Sequence, residues 1–123
     1  MVVCSVSENL KPQAALVGFG EMDNLSLIFG TSTKTRKFSN LMKNPSVAIV
    51  FDDSEGITVQ YEGTISLFEN DEFSKYKEAY FRKSAVAKKY ENYPNQTYLK
   101  VTPVWIRYTN YNTDPPQIFE IKL

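Results

Sequence analysis

The stretch from Ile57 to Phe68 reads as one long strand with a glycine inside it, a combination that few folds accept. Ile57, Val59 and Tyr61 alternate with Thr58, Gln60 and Glu62, the two-residue period of a strand with one buried face. Gly63 then interrupts, Ile65 and Leu67 resume the apolar set, and Phe68 breaks strict alternation. A glycine within a long strand marks a bulge or bend, which a barrel needs where a strand turns a corner.

The rest of the chain supplies partners for that strand. Val2 to Val6 reads as a first strand, and Ser7 to Lys11 as a turn in which Asn9 tolerates a left-handed conformation. After Pro12, Gln13 to Phe19 is an apolar strand of small residues, open to close approach by a flat ligand or another chain. Gly20 to Asn24 turns the chain into the branched run Leu25 to Phe29. Ser46 to Phe51 is a near-continuous apolar strand, followed by a hairpin loop from Asp52 to Gly56. Between these strands, Phe38, Leu41 and Met42 mark one face of a short helix that ends at Asn44-Pro45. Glu69 to Tyr93 has helical spacing, with Phe73, Tyr76, Tyr80 and Phe81 on one face. Thr97 to Tyr111 returns to strand patterning, with Pro103 at an edge or a bulge. Ile118 to Ile121 is a last short strand. Roughly seven strands joined mostly by hairpins, with helices after the third and fifth, predict a mainly β fold, an antiparallel barrel.

Between the third strand and the first helix lies Gly30-Thr31-Ser32-Thr33-Lys34-Thr35-Arg36-Lys37, with four hydroxyls, three cations and no acid. Arg36 and Lys37 are oddly placed at a helix start, where orphan N–H groups and the positive end of the macrodipole disfavour cations. A phosphate there would use every donor in the stretch. The alternative is a solvated turn whose long basic side chains extend into water.

Composition narrows the chemistry. The 123 residues suit a single domain, and 14 Lys and Arg balance 14 Asp and Glu, so no global field draws the chain to nucleic acid or an acidic membrane. There is no histidine and one cysteine, Cys4. That excludes Ser–His and Cys–His nucleophile pairs, histidine-ligated metals and thiolate cages, so demanding chemistry would fall to an organic cofactor. A lone cysteine fits a cytoplasmic protein, and no apolar run approaches the length of a membrane span.

The order of these motifs resembles the pyridoxamine 5′-phosphate oxidase-like, FMN-binding split-barrel family. The resemblance is carried by Leu27-Ile28-Phe29-Gly30-Thr31-Ser32, then Thr35-Arg36-Lys37, Asn40-Leu41 and Asn44-Pro45-Ser46-Val47-Ala48. Gln60-Tyr61-Glu62-Gly63-Thr64 and Tyr98-Leu99-Lys100-Val101-Thr102-Pro103 are similar to later family stretches. It covers nearly the whole chain, which then reads as one split-barrel domain over residues 1–123, closest to the small general-stress-protein-like members. The resemblance implies a homodimer with FMN at the subunit interface. It implies that Arg36 and Lys37 hold the flavin phosphate, with Thr31 and Ser32 donating hydrogen bonds. The backbone of Ala15, Leu16 and Val17 would run along the isoalloxazine edge. Thr58 or Gln60 would reach the flavin, and Trp105 and Arg107 would approach a neighbouring subunit's flavin or pack in the core.

Members usually carry a helix before the first strand, so the true start is expected upstream, or one barrel wall is open. The oxidase that names the family holds its substrate with C-terminal arginines and a histidine. Without histidine, this chain is expected to use flavin for hydride or electron transfer to another small molecule, or to bind flavin without turnover. A deazaflavin or haem in the same pocket is a further option. The alternative from another class is an oligonucleotide-binding-like module with Tyr61, Phe68 and Tyr98 as stacking platforms.

Overall fold

A computed structural model describes residues 1–123. Its strands are β1 (Val2–Val6), β2 (Pro12–Leu16), β3 (Gly20–Glu21), β4 (Leu27–Ser32), β5 (Ser46–Asp52), β6 (Ile57–Leu67), β7 (Gln96–Asn110) and β8 (Gln117–Lys122). They form one antiparallel sheet in the order β2-β1-β5-β6-β7-β4-β3, with β8 beside β7. Helix α1 (Arg36–Lys43) follows β4, and α2 (Glu72–Lys83) and the single turn α3 (Ala85–Lys88) lie between β6 and β7. No helix is long and apolar enough to cross a membrane.

The sheet order dictates a barrel. β2 and β3 stand at opposite ends of it, yet only Val17, Gly18 and Phe19 separate them in sequence. So short a link spans at most about 14 Å, so the sheet must curl until its two edges meet. The edges are joined there by covalent chain rather than by a ladder, which makes the barrel split. One face of the strands fills its interior. Val3, Phe29, Val47, Ile49, Tyr61, Ile65, Leu99 and Val101 pack together, and Leu41 of α1 joins them.

Gly63 does what its place in a long strand predicts. The register of β6 against β7 shifts between Glu62, opposite Trp105, and Gly63, opposite Pro103, leaving Val104 as the extra residue of a bulge. A Cβ on Gly63 would lie 2.8 Å from the Thr102 carbonyl oxygen, so only glycine lets β7 approach this closely. Pro103 is tolerated in a central strand because it sits at this bulge. It also falls between the segment of β7 paired to β4, which ends at Val101, and that paired to β8, which starts at Trp105.

Four local expectations are corrected. The strand predicted over Gln13 to Phe19 ends at Leu16. There Val17 N–H donates to the Met1 carbonyl, and the chain then leaves for the far edge as the separate strand β3. β4 starts at Leu27 rather than Leu25 and runs on through Ser32, because Thr31 and Ser32 pair with Thr97 and Gln96. Leu10, not Asn9, takes the left-handed conformation (φ 60°), in the turn closed by Leu10 N–H on the Ser7 carbonyl. Met42, placed on the apolar face of α1, is 42% exposed, leaving Phe38 and Leu41 to face the core.

Candidate functional site

The site lies at the split, where the link after β2 peels away from β4. Its floor is the end of β4. Thr35 caps α1 there, its Oγ1 accepting the Phe38 N–H at 3.3 Å and donating to the Ser32 carbonyl at 2.9 Å. Thr31 is buried, and its hydroxyl pairs with that of Thr35 at 2.9 Å. The Ser32 hydroxyl accepts the Lys34 N–H at 3.1 Å, leaving its own hydrogen free to donate. Of the two predicted hydroxyl donors, Ser32 is therefore the available one, and Thr31 braces the cap.

Arg36 and Lys37 form the first turn of α1, which contains no acid. Their backbone N–H groups have no carbonyl one turn back to bond. No carboxylate lies within salt-bridge distance of Lys34, Arg36 or Lys37, although eight other cations of the chain are paired. Burial pulls the Lys37 ammonium below its ordinary lysine value. Arg36 is exposed, and so is Lys34, which lines neither cavity of the site.

Two cavities meet at Thr35 and Lys37. The smaller, about 260 Å³, is walled by Ala14, Ala15, Arg36 and the polar pair Ser5 and Gln13. The Asn40 amide ties that pair together, donating to Ser5 Oγ at 3.1 Å and Gln13 Oε1 at 2.9 Å. The larger, about 750 Å³, runs from Leu16, Val17 and Gly18 across Gly30, Thr31 and Ser32 to the corner between α2 and α3. A Cβ on Gly30 would come within 2.7 Å of the Gln96 amide nitrogen and 3.1 Å of the Tyr98 ring, so glycine keeps this floor low.

Seven predicted site residues thus converge: Ala15, Leu16, Val17, Thr31, Ser32, Arg36 and Lys37. Thr58 and Gln60 do not join them within one chain. Both alternate with the core-facing Val59 and Tyr61 and so lie on the outer face of β6. Gln60 stands opposite Arg107 there and lines a shallow groove with Cys4, Val50 and Trp105. Trp105 and Arg107 are not core residues. Trp105 Nε1 donates to Glu120 Oε1 at 2.6 Å and Arg107 to Glu120 Oε2 at 3.0 Å, tying both to β8.

The stacking-platform alternative loses its rings. Tyr61 is 3% exposed, Phe68 packs on Phe73, and Tyr98 stacks on the other side of the same cluster, 4.2 Å from the Phe73 ring.

The far wall of the larger cleft, with Tyr80, Ser84, Tyr90 and Gln96, carries no signal in the sequence. Tyr80 carries the helical spacing of a core residue, and nothing local shows that its hydroxyl reaches Gly30, fifty residues earlier.

The sequence model of the pyridoxamine 5′-phosphate oxidase family matches residues 1–110. The chain belongs to that family. A pyridoxine/pyridoxamine 5′-phosphate oxidase of Ehrlichia chaffeensis is 34% identical over 77 residues, 62% of this chain and 39% of that protein. A heme binding protein from Mycobacterium smegmatis shares the fold with TM-score 0.83 at 18% identity, over 98% of this chain and 51% of that one. A pyridoxamine 5′-phosphate oxidase-related, FMN binding protein from Nostoc punctiforme does so with TM-score 0.70 at 15% identity, over 99% and 86%. The chain thus spans well under two thirds of the oxidase relative's length, and the structural likenesses establish the split-barrel fold.

Proposed function

We propose that this protein binds FMN at the split of the barrel and uses it as an oxidoreductase on a small molecule. The observation that carries this reading is the pair of unpartnered cations at the start of α1, one of them desolvated, opening onto a cleft floored by glycine. A desolvated ammonium without a counter-charge is unfavourable in the free protein, and a phosphate relieves that cost. Lys37, Ser32 and the first N–H groups of α1 would hold the phosphate, Arg36 would screen it from the solvent side, and Leu16 and Val17 would flank the ring. The donor set and cleft size suit FMN, which when bound supplies the hydride and electron chemistry that these side chains lack. The chain's own part is to bind, orient and exclude water. With no histidine, proton donors in the cleft are confined to hydroxyls and Lys37.

The placement of Thr58 and Gln60 supports a second element of the proposal, a homodimer with shared sites. They face away from their own cleft, so they reach a cofactor only from a second copy. Val50 and Val104 are 42% and 46% exposed on that same outer face, apolar area suited to burial between copies. Light scattering should give twice the chain mass, and a monomer at every workable concentration would remove the shared-site arrangement.

The cofactor is tested directly. Purified protein should show flavin absorbance bands in the near-ultraviolet and blue, and denaturation should release FMN. Protein that retains no FMN on desalting, after incubation with excess, refutes the reading.

A further inference from the structure

Tyr80 occupies a place where the barrel's split leaves a backbone donor of β4 without a strand partner. β3 pairs with β4 only at Leu27 and Ile28, and beyond them the chain diverges. The Gly30 N–H, next in line on that edge, donates instead to the Tyr80 hydroxyl oxygen at 2.9 Å. Tyr80 is 3% exposed, and its ring is held between Phe81, at 5.3 Å and 26°, and the edge of Tyr98, at 6.0 Å and 84°. A phenol both accepts and donates. The accepting side is engaged by Gly30, and no protein group accepts the hydrogen. Burial also raises the Tyr80 pKa, so the hydroxyl keeps its proton at neutral pH.

We infer that Tyr80 is a ligand-recognising hydrogen-bond donor of the cleft, aimed at a carbonyl or imine nitrogen on the edge of a planar ring. The inference rests on the FMN reading above and adds the residue that senses the ring rather than the phosphate. Gly30 lies two strand residues before Ser32, about 7 Å from the phosphate end of the site. That is close to the reach of the polyol chain linking phosphate to ring in a flavin nucleotide, so Tyr80 stands beside the ring. The backbone N–H fixes the oxygen from one side, and Tyr80 lines the cleft to which the remaining hydrogen is free to donate. A neutral donor at a ring acceptor binds more strongly as the ring gains electron density, so Tyr80 both selects the ring and raises its reduction potential.

The test is a flavin-fluorescence titration of wild type and Tyr80→Phe with FMN, together with the reduction potential of each loaded protein. Losing one neutral hydrogen bond predicts about three- to ten-fold weaker binding and a more negative potential in the variant. If the hydroxyl serves only to cap Gly30, Tyr80→Phe lowers the melting temperature of the free protein but leaves affinity and potential unchanged, and the inference is overturned. A wild type that binds no FMN refutes the cofactor reading instead, a separate outcome. Should Tyr80→Phe fail to fold, wild-type protein with isotope-labelled tyrosine at position 80 alone decides by infrared spectroscopy. Its phenolic C–O stretch should shift when FMN is added, and an unshifted band overturns the inference.

Discussion

Replacing Lys37 by methionine separates a phosphate anchor from a solvated basic turn. Methionine keeps an unbranched apolar stem of similar reach and removes only the charge and its donors. Lys37 is half-buried, partnerless and shared by both cavities, so its contact with a phosphate would be a charge-assisted bond shielded from water. Hydrogen bonds to charged groups contribute about 1.5–3 kcal/mol, which predicts FMN binding about ten- to a hundred-fold weaker in Lys37→Met. Arg36 looked equivalent in sequence, but its exposure places it in the regime of screened surface pairs, about 0–1 kcal/mol, so Arg36→Ala should cost about five-fold or less. Lys34→Ala is the control and should bind as wild type does. The free protein should gain stability in Lys37→Met, by about 0.3–1 kcal/mol, since a cation is removed from the positive end of a helix. The assay is a flavin-fluorescence titration at fixed salt, repeated with riboflavin, which lacks the phosphate and should not distinguish wild type from Lys37→Met. Equal FMN affinities for those two proteins, or an equal loss in Lys34→Ala, would refute the anchor.

FMN affinity should fall as pH rises through the lowered Lys37 pKa, before the ordinary lysine value of 10.5 is reached. Below that pKa the ammonium is already charged for the phosphate; above it, binding must take up a proton, seen as buffer-dependent heat in calorimetry. Stability of the free protein has the opposite sign, because the unfolded chain holds this proton to higher pH, so Lys37's contribution rises with pH across the same window. Gly63→Ala should destabilise the barrel by about 1–3 kcal/mol in urea unfolding, as its Cβ meets the Thr102 carbonyl and the Val101 side chain, each at 2.8 Å. An unchanged midpoint would mean that the bulge relaxes freely.

Much of this protein was decided by local pattern. The alternation of Ile57, Val59 and Tyr61 placed β6 and its buried face, Gly63 marked the bulge, and Asn44-Pro45 ended α1. A strand's period and a helix's stop depend only on neighbours in the chain, so they survive without knowledge of the fold. The concentration of cations at Thr35-Arg36-Lys37 was equally visible, because a helix start is also a local object. What tertiary structure decided is everything that depends on pairing across the sheet. Nothing near Leu16 states that β2 ends there and that the next strand joins the opposite edge, yet that crossing creates the split and the cleft. Burial ranked Lys37 above Arg36, adjacent cations of similar chemistry, because only the folded cavities desolvate one of them. The same geometry sent Thr58 and Gln60 to the outer face and brought Tyr80 to Gly30 across fifty residues. These contacts are held by the barrel's closure, a property of all its strands at once.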